Sequence, residues 1–367
     1  MRHPPIANGH AHRCMTELTP TAVVAVCPPV CRYATSHLLE LARWHLLEYI
    51  DFIQSDECSH ESLRGFVSTV LLKQVHMSVL CHGNTGRAQS LALVDEAAQA
   101  LGSKALGLSQ LPTPRLLQLP ADVEVVYRLH PSVFAAHHLS LLNMEERNSA
   151  IELTLQGGLD ERPASMYLEF LTQILSHPAY EQLRTTEQLG YLVNLGQRYD
   201  LGVVGLRVIV QSANHDAAYL DARVEAFLAT VPKLLADLAP SEFANHKDAI
   251  LKAKLEAPKT LRQESAIYWN EIAQGTYDFQ RDAVDAKVVE KVTQQDIIEY
   301  WGKVFDASAT GRRKISTHVY ASHLTMPPKL AKGVNGRAMQ YVEGLDAVLE
   351  YKRTLAAFPA APRCDRQ

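Results

Sequence analysis

An α+β fold, in domains built from a mostly antiparallel sheet with long helices packed on one face, is predicted by three features of this chain. Runs such as "SAIELTLQGG" (149–158) and "GLRVIVQS" (205–212) have strand character, and in the second Leu206, Val208 and Val210 alternate with Arg207, Ile209 and Gln211. Residues 217–238 carry apolar side chains at 220, 224, 227, 228, 231, 234, 235 and 238, a stripe stepping by three and four that belongs to a helix with one buried side. The strands are flanked by paired long helical stretches, the grouping that puts a helical layer on one face of a sheet.

Taken in order, residues 1–32 are rich in Pro and His and are expected to form an irregular tail. "SHLLELARWHLLEY" (36–49) predicts a helix through Leu38, Leu39, Leu41, Leu46 and Leu47, and "HESLRGFVSTVLLKQ" (60–74) a second. "VHMSVLCHG" (75–83) predicts a strand ending at the Gly83-Asn84 turn, with a helix over 85–101 after it. Three prolines and no steady period make 102–120 the linker region, with the linker itself placed at 106–120. Strands follow at 123–129 and 149–158, then a long helical stretch over 162–185 interrupted near Pro178, then strands at 191–197 and 205–212. Pro240-Ser241 ends the striped helix and caps another over 241–256. Helices near 260–273 and 294–305 and a strand over 313–321 complete the pattern.

The bulk properties exclude several classes. A length of 367 residues allows two domains with sizeable cores. A net charge of −4 gives no reason to expect a nucleic-acid or anionic-membrane surface. No apolar run approaches the roughly 20 residues that span a bilayer. The six cysteines (14, 27, 31, 58, 81, 364) lack framework spacing, so free thiols and a cytoplasmic setting are expected. Arg2 and Arg13 leave a mitochondrial leader as the alternative, although Pro4, Pro5 and Gly9 interrupt any amphipathic helix there.

A hydrolytic centre needs a metal-bound water, an activated nucleophile or a carboxylate pair. Zinc hydrolases place two histidines and a glutamate on one helical face. "HLLEY" (45–49) has His45 and Glu48 but Tyr49 where the second ligand belongs, and "HESLR" (60–64) has Arg64, which cannot bind a cation. "HAHRC" (His10, His12, Cys14), "CPPVC" (27–31) and His137-His138 are weak patterns, and Gly157-Gly158 signals a turn. No catalytic residue and no metal site is expected in this chain.

"LRTTEQLGYLV" (183–193) poses a different possibility. Gly190 is expected to end a helix with positive φ, and Tyr191 to open the next strand. Arg184 and Tyr191 then meet at a chain reversal, where a guanidinium and a phenol offer directed donors to a peptide carbonyl or to the oxyanion formed on it. The alternative is an arginine on the helix C-terminal dipole beside a half-buried strand tyrosine.

The same string, Leu-Arg-Thr-x-Glu-Gln-Leu-Gly-Tyr, resembles the C-terminal half of the insulin-degrading, pitrilysin-type zinc metalloproteases. The likeness extends through "GLRVIVQS" (205–212), "YWNEI" (268–272), "DIIEYW" (296–301), "RRKISTHVYA" (312–321) and "LEYKRTLAAFP" (349–359), and upstream through "LLKQVHMSVLCHGN" (71–84). The resemblance implies pitrilysin/insulinase-like domains: 33–105 as the end of the third, 106–120 as linker and 121–360 as the fourth. It implies that Arg184 and Tyr191 reach toward substrate, with Tyr180 lining the same surface. It implies polyanion binding only in part, at Lys259, Arg312 and Lys314 within the cluster Arg312-Arg313-Lys314, since Thr260 replaces an expected lysine. The family's zinc belongs to an N-terminal half that this sequence does not show. The expected function is therefore the substrate-binding half of a zinc metalloendopeptidase, with peptides as ligands and a zinc-bearing N-terminal half or a second copy as partner. A non-catalytic peptide-binding or scaffolding module and a truncated gene product are the alternatives.

Overall fold

The computed structural model describes residues 27–107, 110–130 and 146–360. It opens with helix α1 (Cys27–Leu39), which begins inside the stretch expected to be an irregular tail. The single helix expected over 36–49 is divided, because Glu40 leaves the helix to bridge Leu116 and helix α2 (Leu46–Gln54) starts afresh. His45 caps α2: its Nδ1 accepts from the Leu47 N–H at 3.2 Å, and Glu48 accepts from the His45 N–H at 2.5 Å. The partial zinc pattern of 45–49 is thus a capping box. Helix α3 (His60–Phe66) runs into a π-helical turn, Val67–Leu71. Of the strand expected over 75–83 only Val75 is paired, in β1 (Gln74–Val75); helix α4 (Arg87–Leu101) crosses over to β2 (Lys104–Ala105), which lies parallel to β1.

The remaining elements build one six-stranded sheet and its two covers. In chain order they are β3 (Val123–Leu129), β4 (Ser149–Leu159), α5 (Ala164–Tyr180), β5 (Leu192–Asp200), β6 (Val203–Ser212), α6 (Ala217–Leu228), α7 (Val231–Asp237) and α8 (Pro240–Leu255). Then come α9 (Leu261–Gln274), α10 (Arg281–Val289), α11 (Gln294–Val304), β7 (Lys314–Val319), β8 (Ala338–Glu343) and α12 (Leu345–Thr354). The strand order is β5-β6-β4-β7-β3-β8, antiparallel from β5 to β7 and parallel across β7, β3 and β8. The mostly antiparallel sheet with long helices is the predicted class.

Strand alternation sorts the side chains between the two faces. Leu153 of β4, Leu195 of β5 and Val208 of β6 point into the main helical layer, where Phe170, Phe227 and Trp301 fill the core. On the opposite face Val125 and Tyr127 of β3 and Ile315 of β7 pack against Leu38 and Leu39 of α1 and Val348 of α12. Truncating a fully buried leucine in either layer costs about 2–5 kcal/mol.

Three further expectations change. The striped helix over 217–238 is two helices, because Pro232 has no N–H to continue the ladder and instead starts α7. The stretch 106–120 is no free linker at its end: Leu116, Leu117 and Leu119 are buried, and the Gln156 amide holds the Leu119 N–H and the Leu117 carbonyl at 2.9 Å each. Finally, α1 packs on the sheet, with the Lys352 ammonium on the His37 carbonyl at 2.9 Å. The packing break falls after Leu47, the last residue of either core before Leu116. Between them Phe52, Ile53, Leu63, Phe66, Leu91 and Leu93 are all exposed.

Candidate functional site

The site is made by the end of α5 and the start of β5. Past Pro178, which lies within α5, the helix widens into a π-helical turn, Glu181–Thr186. Leu183 is fully buried and its carbonyl accepts from the Leu189 N–H at 3.0 Å, so the turn is anchored from below. Glu187 anchors it from the side, taking a two-point grip from Arg223 of α6 at 2.7 and 2.8 Å and a further hydrogen bond from Gln182 at 3.0 Å. The Arg223 hydrogen bond holds the Glu187 carboxyl below the usual carboxylate range. That pairing occupies the motif's glutamate, which is therefore not an acceptor for Arg184.

The chain then reverses into β5. The expected positive φ is found two residues early, at Gln188 (φ 52), and Gly190 is required for a different reason. A Cβ at Gly190 would lie 1.8 Å from the Gln211 carbonyl oxygen of β6. Only glycine lets the backbone approach this closely.

These constraints leave Arg184 at the surface between two rings. Its guanidinium carbon lies 5.1 Å from the Tyr180 ring centroid and 5.3 Å from that of Tyr191, and its Nε–H donates to the Tyr191 carbonyl at 3.0 Å. Tyr191 is 90% exposed and Tyr180 44% exposed, so neither phenol is committed to the interior. No acceptor among the described residues takes the two terminal nitrogens of Arg184. The arrangement offers donor groups, fixed in place by two aromatic faces, to an acceptor arriving from solvent. Arg184, Tyr191 and Tyr180 are thus brought together.

The other candidates are not. Lys259 is on the surface, paired with Glu256 at 2.6 Å. Arg312 and Lys314 are each 1% exposed, which removes them from any surface polyanion site. Arg312 pairs with Glu124 and, at 2.8 Å, with Glu225; Lys314 lies 2.8 Å from Glu225, 3.1 Å from Asp221 and 3.2 Å from Glu124. Burial would raise the Asp221 carboxyl, but the Lys314 charge and hydrogen bonds from His318 and Ser316 hold it far below its ordinary value. This closed network ties β3 and β7 to α6, and nothing in local sequence announced it, because its members are separated by as many as 188 positions.

Among the described residues no group of three or more His, Cys, Asp or Glu could hold a metal ion. The described residues therefore do not fit a catalytic zinc. His10, His12, Cys14 and His137-His138 lie outside the described residues. No described helix is long and apolar enough to cross a membrane.

A family model described as PQQ synthase PqqF-like, C-terminal lobe domain 4, matches residues 170–269, the segment that contains the Arg184–Tyr191 turn. The chain is 32% identical over 316 residues to an insulin-degrading enzyme of Bos taurus, a match covering 83% of this chain and 30% of that protein. It is 27% identical to a peroxisomal insulin-degrading enzyme-like protein of Arabidopsis thaliana, over 79% of this chain and 29% of that one. The crystal structure of pitrilysin shares the fold, with a TM-score of 0.73 at 19% identity over 96% of this chain and 35% of that chain. The sequence thus spans about a third of the length of the relatives it matches.

Proposed function

Because the chain belongs to the insulinase family of zinc metalloproteases, in the part that forms their C-terminal half, we propose that it is the peptide-gripping half of a metalloendopeptidase. The observation that carries this reading is the half-buried Arg184 guanidinium held against the exposed rings of Tyr180 and Tyr191. Its unpaired N–H groups and the Tyr191 hydroxyl donate to a carbonyl of an extended peptide, or to the oxyanion that water creates on that carbon. Donors fixed before the substrate arrives lower the barrier more than donors that must first be gathered. Since the described residues hold no metal-ligand set, the zinc is supplied by a second chain or segment bearing the family's inverted His-x-x-Glu-His motif. In this division of labour the attacking water belongs to the partner, and carbonyl orientation belongs to this chain.

On the same reading, 33–105 is the end of a third insulinase-like domain and 121–360 the fourth, with 106–120 joining them. The exposed apolar residues between Leu47 and Leu116 support this, since a complete domain would cover them. They also favour a second reading, in which the chain is a non-catalytic scaffold that pairs with another copy through that surface. A cytosolic setting is part of the proposal, resting on cysteine usage alone.

The test is reconstitution with the N-terminal half of the bovine insulin-degrading enzyme and a fluorogenic peptide. The proposal expects cleavage only when both chains are present, and at least about 100-fold less with an Arg184→Ala/Tyr191→Ala variant, the size of effect that loss of oxyanion donors produces. Undiminished cleavage by the variant would remove Arg184 and Tyr191 from the mechanism.

A further inference from the structure

We propose that the carboxyl ends of the three parallel strands form a second binding site, for a compact oxyanion of the phosphate or carboxylate class, centred on Arg128. Arg128 is the penultimate residue of β3, and only 4% of it is exposed. A guanidinium so deeply buried is expected to have its N–H groups satisfied, because leaving buried donors unpaired is costly. The Arg128 side chain instead makes no hydrogen bond among the described residues. Its Nε lies 3.2 Å from a Glu343 carboxylate oxygen, yet neither atom has a hydrogen-bond partner.

Besides the Glu343 carboxylate, two aromatic rings hold Arg128 in place. Its guanidinium carbon is 5.5 Å from the ring centroid of Tyr320 and 5.5 Å from that of Tyr341. Two rings pack against the planar group and its Nε is turned to Glu343, so the two terminal nitrogens form the edge left for a ligand. That edge lines an open groove of about 590 Å³, rimmed by Ser322, His323, Thr325 and Lys329. A planar fork packed against two aromatic rings suits two-point contact with a carboxylate or phosphate.

Topology and charge agree. Because β7, β3 and β8 run parallel, their carboxyl ends open on one edge, the position where sheets of parallel strands place ligands. Glu343, the last residue of β8, faces both Arg128 and the Lys329 ammonium, the latter at 3.1 Å. Two cations against one carboxylate leave one positive charge for a ligand to neutralise. None of Lys259, Arg312 or Lys314 lines this groove, and the Arg184 turn lies at the other end of the sheet order.

The test is equilibrium binding to the full chain of two probes: inorganic phosphate, and a short acetylated peptide with either a free or an amidated C-terminus. Saturable binding of phosphate, or of the free-acid peptide but not its amide, supports the site and distinguishes its two ligand sources. Arg128→Met should weaken that binding at least tenfold. If this variant fails to fold, His323→Ala/Lys329→Ala, which alters only exposed rim residues, should weaken it at least threefold. The absence of saturable binding for both probes overturns the proposal, and so does binding that these variants leave unchanged.

Discussion

Arg184 and Gly190 stand six positions apart and serve opposite ends. Arg184 contributes little to stability, since a cation–π contact near the surface is worth about 0.5–1 kcal/mol. Arg184→Ala should therefore shift the denaturation midpoint only slightly while weakening peptide binding. Gly190→Ala should do the reverse, because its Cβ meets the Gln211 carbonyl and the β5–β6 junction must move. A destabilisation of about 1–3 kcal/mol, the usual cost of overpacking, is expected by urea denaturation. Glu187 adds a pH dependence. Its folded carboxyl is held below the ordinary value of 4.5, so its contribution is present above that value and lost as pH falls through the lower folded one. Glu187→Gln should flatten the acid limb of stability below pH 4.5, and an unchanged limb would show that the Arg223 fork contributes nothing. The pairing of Arg184 with Tyr191 was legible in the sequence from their positions around one glycine. The reason for that glycine was not, because a close approach to β6 depends on sheet register rather than local sequence.

At the scale of elements, the buried network of Arg312, Lys314, Glu124, Glu225 and Asp221 joins β3, β7 and α6. Removing one partner strands the others in the interior. Arg312→Met should cost about 3–5 kcal/mol, more than any single surface ion pair, and thermal unfolding checks it. A sequence run such as "GRRKIS" reads as a basic surface cluster, and only pairing with acids more than 80 positions away reverses that reading. Strands β3, β4 and β6 were recognisable because β-branched and leucine runs of the right length are bounded by turns. Helix α10 and strand β8 were not. β8 has a mixed pattern at a sheet edge, with Val342 its one buried residue, and α10 begins and ends without a capping side chain that would mark it.

At the scale of the whole molecule, the two cores found among the described residues serve the sheet, and neither includes a residue of 48–107. Limited proteolysis should therefore cut first within 48–107, leaving the sheet and its helices intact. Initial cleavage within β4 or β6 would contradict this division. The fold class was legible because helix stripes and strand runs survive at any domain boundary. The packing of α1 was not, because it belongs by sequence order to the upstream segment and by packing to the sheet.

The most direct test of the central claim is titration of a fluorescent, extended peptide with the purified chain, followed by anisotropy. Saturable binding by the native chain, weakened at least tenfold in Arg184→Ala/Tyr191→Ala while circular dichroism stays unchanged, is the predicted result. Equal affinity for native and doubly substituted chains would contradict it, and would assign peptide capture to another surface.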